Sequence, residues 1–291
     1  MNYQHKYSFR CLFAIAALLS SASFQAARAQ TAPSLGAASS FSVLGGQAVT
    51  CTSSVITGDV GVSPTPAFAN AGCTIVGSTP PATDVAAALA RTAFLSAYQN
   101  IGLIPCTQTI PTAAFTGNVP ALGPLAPGVY CFPAGLTFTN TTLTLDGSSN
   151  PNGIWIFKVG AALTGSGFQV LMTNGAQACN VFWSVGSAVT LSTSTLTPLF
   201  QGNILAGNAT GGSVTMTGGS LVGRVLANVA VTMTNTNIHG SCALVSKANG
   251  MCDAGDNDND SHKDHGKGND KNKGKGNDDD EDNDQGGGRD N

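Results

Sequence analysis

Hydrophobic and polar residues alternate in short segments along much of the chain. In the segment 214–217, Val-Thr-Met-Thr, alternation on an extended backbone places the two apolar side chains on one side and the two threonines on the other. The same four residues return at 231–234, a spacing of 17 (231 − 214). Alternation with period two is typical of a β-strand with one buried and one exposed face. The pattern therefore predicts strands, and its recurrence predicts a repeat.

Two longer alignments extend this repeat. Residues 155–164 (WIFKVGAALT) match residues 181–190 (VFWSVGSAVT) at a spacing of 26, and 202–206 match 223–227 at a spacing of 21. Short strands that recur at such spacings, separated by Gly, Asn or Ser, indicate a solenoid of stacked coils; a β-sandwich is the competing architecture. Taken together, the alignments place four hydroxyl-containing segments at corresponding positions of successive coils, which we call rungs. They are Thr164-Gly-Ser166, Thr190-Leu-Ser192, Thr215-Met-Thr217 and Thr232-Met-Thr234.

One helix is predicted to interrupt the strands, over about residues 84–101. Thr83 is its candidate N-cap, and Asp84 suits the first turn. The strands around Trp155 and Trp183 are apolar on both faces, so something must cover them from outside the solenoid, and the helix is long enough to do so. We predict that both tryptophans are core residues and not sugar-stacking platforms. The predicted apolar stripe of the helix consists of Val85, Leu89, Thr92 or Ala93, Leu95, Tyr98 and Ile101.

The two ends of the chain differ from the part between them. Residues 1–29 combine a basic start, a short apolar run and an Ala-Arg-Ala cleavage site, which is typical of a secretory signal peptide. Residues 253–291 are rich in Asp, Asn, Gly and Lys, and the sequence predicts an acidic disordered tail there. We therefore predict one exported solenoid domain over residues 30–252, with no membrane span. A secreted protein is expected, with the periplasm and the cell surface as alternatives.

Residues 30–252 carry very little charge. Their acids are Asp59, Asp84 and Asp146, and they have four basic residues and a single histidine, His239. Nucleic-acid binding needs a basic patch, so this class of partner is excluded. Glycoside hydrolysis needs two carboxylates close together, and these three are far apart in sequence, so we predict a protein that is not an enzyme. Arg224 lies in an apolar strand and is expected to bond backbone carbonyls at a corner.

Seven cysteines follow the signal segment, which in an exported protein favours disulfides. The spacings favour Cys51–Cys73 and Cys106–Cys131. Cys179 is expected to pair with Cys242 and leave Cys252 free, although a Cys242–Cys252 pair is the alternative. Neither a C-x-x-C pair nor a Cys/His cluster is present, and the Asp-rich start of the tail fails the EF-hand pattern, so we predict no metal site and no cofactor.

Several ordered motifs together resemble a known family. They are residues 35–64 (LGAASSFSVLGGQAVTCTSSVITGDVGVSP), 125–132 (LAPGVYCF), 153–160 (GIWIFKVG), 174–186 (NGAQACNVFWSVG), 202–206 (GNILA) and 223–238 (GRVLANVAVTMTNTNI). These segments are similar to the ice-binding-like domain, and the resemblance covers about residues 35–245. It implies a right-handed, discontinuous, three-faced β-solenoid with one long helix packed alongside. It also implies that one flat face binds ice in the active members.

The resemblance and the threonine rungs together give the functional hypothesis. We predict a monomeric, secreted antifreeze-type protein that adsorbs to ice or ordered water through a Thr/Ser/Asn face. The alternative is a structural or adhesive extracellular protein that contacts matrix or glycans; a protruding Phe200 or Gln201 would favour it. Active members often carry a Thr-(Ala/Gly)-x-(Thr/Asn) pattern, which residues 217–220, 234–237 and 192–195 match only in part. The candidate ice-binding residues are Thr190, Ser192, Thr195, Thr215, Thr217, Ser220, Thr232, Thr234 and Asn237.

Overall fold

The computed structural model describes residues 31–64, 67–79, 85–111, 114–116, 123–194 and 199–240. The predicted signal segment, the tail, Thr83, Asp84, Thr195, Cys242 and Cys252 lie outside these residues. The described part contains one α-helix, α1 (Val85–Leu103), two short 3-10 helices (Gly36–Ser40 and Ala178–Asn180), and strands in four sheets. Every strand pair in the described part is parallel.

Two large sheets form two faces of the molecule. Sheet A contains, in spatial order, β4 (Asp59–Val62), β1 (Phe41–Gly45), β21 (Val225–Ala227), β18 (Asn203–Ala206), β15 (Val181–Val185), β12 (Trp155–Val159), β9 (Gly128–Phe132) and β7 (Gln108–Thr109). Sheet B contains, in the same order, β5 (Ala67–Ala71), β2 (Ala48–Thr52), β22 (Ala230–Thr234), β19 (Val214–Thr217), β16 (Val189–Ser192), β13 (Leu163–Ser166), β10 (Leu136–Thr139) and β8 (Ala114–Thr116).

Two smaller sheets make up the third face. Sheet C contains β17 (Leu199–Gln201), β20 (Ser220–Val222), β23 (Asn237–His239), β3 (Val55–Thr57) and β6 (Thr74–Val76), and sheet D contains β11 (Thr142–Asp146) and β14 (Gln169–Thr173). Each full coil crosses sheet A, then sheet B, then the third face. The fold is therefore the predicted three-faced solenoid. The β-sandwich alternative was wrong, because a sandwich is built from antiparallel strands.

The strand pairings confirm the repeats that the sequence predicted. Trp155 pairs with Val181 at the spacing of 26, and Ile204 pairs with Val225 at the spacing of 21. Thr215 pairs with Thr232, so the two copies of Val-Thr-Met-Thr lie side by side in sheet B. The repeated tetrapeptide thus belongs to two neighbouring coils of the solenoid.

The order of the coils in space differs from their order in the chain. The first coil, residues 41–57, lies beside the last coil, residues 225–239: Val43 pairs with Val225, and Thr50 pairs with Thr232. The second coil, residues 59–76, stacks on the outer side of the first and ends the solenoid. The solenoid is therefore discontinuous, as the resemblance implied.

The interior of the solenoid is filled by aliphatic side chains, together with a stack of aromatic side chains from successive coils within residues 115–200. Trp155 and Trp183 are fully buried. Phe157 stacks on Trp183 with ring centroids 4.1 Å apart, and the indole nitrogen of Trp183 donates to the carbonyl of Gln201 at 3.0 Å. Both tryptophans are core residues, as predicted, and neither is available to stack on a sugar.

Helix α1 covers the outer side of sheet A, as predicted, but through a different stripe of residues. Its buried side chains contact a second apolar layer on sheet A that includes Ile156, Phe182 and Leu205. Val85 is 73 % exposed and Leu89 is 61 % exposed, so the predicted stripe was wrong at these positions. Alanines on the buried face let the helix approach the sheet closely, whereas Leu89 lies on the opposite side. The buried residues of the helix are Ala87, Ala90, Phe94, Ala97 and Ile101.

This correction can be tested with a pair of substitutions in α1. Phe94→Ala is expected to lower the free energy of unfolding by about 3–5 kcal/mol, because it opens a cavity between helix and sheet. Leu89→Ala is expected to change it by less than about 0.5 kcal/mol, because the side chain is largely solvated. Urea denaturation of both variants measures the difference. A larger loss for Leu89→Ala than for Phe94→Ala would contradict the assigned helix face.

The three described arginine and lysine side chains, Arg91, Lys158 and Arg224, donate hydrogen bonds to backbone or side-chain oxygens of the scaffold. Lys158 donates from Nζ to the carbonyls of Gly102 (2.7 Å) and Ile104 (3.0 Å), at the negative end of the α1 dipole. Arg224 donates from Nε to the carbonyl of Ser39 at 2.8 Å, which confirms its predicted corner role. Burial lowers the pKa of Arg224. These cations serve the scaffold and form no basic patch.

The disulfides follow the predicted pairing as far as the structure describes them. Cys51 is bonded to Cys73 and Cys106 to Cys131. Cys179 also takes part in a disulfide. Since the other described cysteines are already paired, its partner lies outside the described residues. The Cys179–Cys242 pair remains a prediction.

Candidate functional site

Sheet B presents two parallel columns of hydroxyl side chains. The register pairs each threonine or serine with a hydroxyl residue of the next coil, through six consecutive coils. The first column consists of Thr137, Thr164, Thr190, Thr215, Thr232 and Thr50. The second consists of Thr139, Ser166, Ser192, Thr217, Thr234 and Thr52. We call these twelve residues the hydroxyl face. At one end of the stack both columns meet alanine, Ala69 and Ala71, and at the other end they meet Ala114 and Thr116 of β8.

Strand alternation separates the hydroxyl face from the core. In β22 the side chains of Val231 and Met233 are fully buried, while Thr232 and Thr234 between and beyond them are partly exposed. The same alternation holds in β19, where Val214 and Met216 point inward. Neighbouring coils are about 4.8 Å apart, and residues two apart on a strand about 6.7 Å. The buried column thus holds the hydroxyl columns on a regular two-dimensional spacing.

The hydroxyl groups of this face are left for solvent. In the part of the chain that the structure describes, none of the twelve side chains makes a hydrogen bond to another protein atom. Hydroxyls at the neighbouring corner behave differently. Thr236 is fully buried and donates toward the carbonyls of Gly218 (3.2 Å) and Thr234 (3.1 Å), and Ser54 donates to the carbonyl of Thr52 at 2.8 Å. Corner hydroxyls complete the scaffold, whereas face hydroxyls are free to bind water.

A tight corner divides the predicted site residues between two faces. Between β19 and β20, and between β22 and β23, only two residues connect sheet B to sheet C. The first of the two has a positive φ, 71° at Gly218 and 52° at Asn235, a conformation that Gly and Asn tolerate best. Beyond this corner Ser220 pairs with Asn237 on sheet C. Ser220 and Asn237 therefore lie on the third face, apart from the hydroxyl face.

The six other predicted residues that the structure describes are brought together, and Thr195 lies outside the described residues. Thr190, Ser192, Thr215, Thr217, Thr232 and Thr234 occupy three adjacent coils of the hydroxyl face. Sequence reasoning missed Thr50, Thr52, Thr137 and Thr139 on the flanking coils. Their segments, Ala-Val-Thr-Cys-Thr and Leu-Thr-Phe-Thr, show the same period-two signal as Val-Thr-Met-Thr. That signal could have found them, although not their position beside the later coils.

The third face is chemically mixed. Its outward positions include Leu171 (47 % exposed), Val76 (59 % exposed) and the carboxylate of Asp146. Hydrogen bonds from Asn174 and Ser148 lower the pKa of Asp146. A surface that alternates leucine, glutamine, valine and carboxylate lacks the repeated spacing of the hydroxyl face.

The two described carboxylates lie far apart on the solenoid. Asp59 lies on the terminal coil and accepts a hydrogen bond from the backbone N–H of Ser78 at 2.7 Å. Asp146 lies six coils away, which is about 29 Å at about 4.8 Å a coil. Among the described residues there is no group of three or more His, Cys, Asp or Glu that could hold a metal ion. A cavity of about 20 Å³ beside Phe168, Leu191 and Phe200 has room for about one water molecule.

Comparison with known proteins decides the family. The model of the ice-binding-like family matches residues 43–239, which is more than half of the chain. The chain belongs to the ice-binding-like family. An ice-binding protein of Nostoc sp. (strain HG1) is 37% identical over 233 residues, which cover 78% of this chain and 82% of that protein. An ice-binding protein of Flavobacterium frigoris (strain PS1) is 33% identical over 215 residues, covering 68% and 73%.

Solved structures of other family members share the fold. The crystal structure of an ice-binding protein from the Antarctic ascomycete Antarctomyces psychrotrophicus matches with a TM-score of 0.64 and 28% identity, over 72% of this chain and 99% of that one. An ice-binding protein from an Antarctic biological consortium matches with a TM-score of 0.61 and 29% identity, over 72% and 91%. In this member of the ice-binding-like family, no helix of the described residues has the length and hydropathy of a membrane span.

Proposed function

We propose that this chain is a secreted, non-enzymatic ice-binding protein that adsorbs to ice through the hydroxyl face and inhibits ice growth or recrystallisation. The observation that carries the proposal is the pair of in-register hydroxyl columns across six coils. The similarity of the chain to ice-binding proteins supports ice as the ligand. The choice of face comes from the geometry alone.

Ice is an uncharged array of water molecules with fixed spacings. A protein that binds it needs a rigid surface whose groups repeat on a comparable scale. Parallel coils supply that rigidity, because each strand of sheet B is hydrogen-bonded on both sides except at the two ends. Threonine adds to it, because its β-branch restricts χ1 and so fixes the positions of methyl and hydroxyl together. The hydroxyl face therefore combines a lattice-like spacing with a low entropy cost of adsorption.

The proposed site omits two described residues of the predicted set and adds residues from flanking coils. Ser220 and Asn237 are left out, because a plane through sheet B does not include sheet C. The flanking hydroxyls of the same columns are added. The proposed ice-binding residues are Thr50, Thr52, Thr137, Thr139, Thr164, Ser166, Thr190, Ser192, Thr215, Thr217, Thr232 and Thr234.

The adhesive alternative would be favoured by a large side chain, Phe200 or Gln201, that protrudes into the binding face, and the structure places both elsewhere. Phe200 and Gln201 are 3 % and 8 % exposed and lie in β17 of sheet C. Neither side chain therefore protrudes into the plane of sheet B. The register along sheet B is also continuous, whereas among the described strands a register shift occurs between β1 and β4 of sheet A.

The proposal predicts adsorption that does not depend on pH. None of the twelve residues of the hydroxyl face carries a titratable group, so their contact with ice is expected to stay constant within about twofold from pH 5 to pH 9. The measurement is the fraction of purified protein captured by a growing ice front at each pH, with a non-binding globular protein as control. Exclusion from ice at every pH, together with capture on glycan arrays, would instead support the adhesive function.

A further inference from the structure

The second hydroxyl column changes composition in its middle. Four of its six positions are threonine, but Ser166 and Ser192 occupy two adjacent coils and pair with each other. Thr139 flanks the pair on one side and Thr217 on the other. In the first column the corresponding positions, Thr164 and Thr190, both carry threonine. The face therefore lacks two neighbouring γ-methyl groups near its centre.

These two serines differ from threonine in two ways that matter at an ice surface. Serine has no γ-methyl group, so it removes less apolar surface from water on contact. It also lacks the β-branch that restricts χ1, so its hydroxyl samples more directions before adsorption. Ser166 is exposed and Ser192 is half-buried, and neither side chain hydrogen-bonds to another atom of the described protein. Nothing in the described fold fixes either hydroxyl.

We propose that Ser166 and Ser192 limit the strength with which this protein adsorbs to ice. The inference rests on the proposed function of the hydroxyl face. Their strands have the same register as the strands of Thr139 and Thr217, so the backbone there already accommodates threonine. Replacing both serines by threonine adds the two γ-methyl groups and makes the two columns equivalent across all six coils.

The test is the full-length secreted protein with Ser166→Thr/Ser192→Thr, compared with wild type in an ice recrystallisation assay. Complete removal of one methyl group from water strengthens a binding constant about fourfold. Two methyl groups that are each half-covered by ice are expected to have about the same effect together. The lowest inhibiting concentration is therefore expected to fall about fourfold. Adsorption of dye-labelled protein to a single ice crystal gives a second, direct measurement.

Two further variants separate the methyl effect from general changes. Thr164→Ser/Thr190→Ser removes methyls from the same coils and is expected to raise the inhibiting concentration about fourfold. Ser96→Thr adds a methyl on the exposed side of α1 and is expected to change nothing. An active wild type whose inhibiting concentration is the same after Ser166→Thr/Ser192→Thr overturns the inference and leaves the proposed function standing. An inactive wild type overturns both.

Discussion

The Thr215→Lys/Thr232→Lys variant is expected to lose most of its ice recrystallisation inhibition. Both threonines lie in the first column on adjacent coils, at the middle of the face. A lysine ammonium there must either give up hydration or hold the rest of the face away from the crystal. The lowest inhibiting concentration should rise by about tenfold or more, given the cost of burying an unpaired charge. Melting temperatures of the two proteins should remain similar, because the positions are exposed on one side.

The matched control places the same charges on the third face. Thr74→Lys/Thr144→Lys adds two lysines at outward positions of sheets C and D. This variant has the same net charge and number of substitutions, and it is expected to inhibit recrystallisation as well as wild type. Equal losses in both double variants would show that added charge, and not the position of the charge, determines the effect. That result would remove the hydroxyl face as the ice-binding surface.

Trp183→Ala is expected to produce a large loss of stability. The indole is fully buried, stacks on Phe157, contacts Phe200 with centroids 5.0 Å apart, and donates to the carbonyl of Gln201. Truncation leaves a cavity that the stacked coils cannot close, and one carbonyl without its donor. The free energy of unfolding should fall by about 3–5 kcal/mol. The melting temperature should fall by about 6–20 °C for a domain of this size.

Leu103→Ala provides the comparison, because Leu103 is 82 % exposed at the end of α1. It also removes a large apolar side chain but should change stability by less than about 0.5 kcal/mol. Thermal unfolding followed by circular dichroism distinguishes the two variants. A Trp183→Ala protein that melts with wild type would mean that the aromatic stack does not hold the coils together.

Sequence reasoning succeeded wherever the signal was local and repeated. Val-Thr-Met-Thr predicted both the strands and their neighbour relation, because identical coils stack in register. Trp155 and Trp183 were assigned to the core because their strands are apolar on both faces. The same logic failed for α1, where alanine and leucine occur on all sides. In such a helix the packing partner, and not the pattern, decides that Ala90 is buried and Leu89 is not.

Long-range and corner geometry could not be obtained from the local pattern. Thr50 joins the first column only because residues 41–57 lie beside residues 225–239, a relation between positions 182 apart (232 − 50). Ser220 and Asn237 were grouped with the threonines before them because they are close in sequence. Two corner residues, of which the first has a positive φ in each case, rotate them onto another sheet. A three-residue step along the chain thus changes the face of the molecule.

The junction between the first and last coils has a consequence for how the chain acquires its structure. Among the strands that the structure describes, those of residues 41–57 come first along the chain, yet their partners on one side, in residues 225–239, come last. Contacts of such high sequence separation form slowly, because a long loop must close before they contribute. The nascent chain therefore cannot complete its solenoid from the amino terminus onward. The twelve-hydroxyl array is complete only when residues 230–234 have paired with residues 48–52, so a chain that stops before residue 230 loses the lateral partner of its first coil as well as its own missing residues.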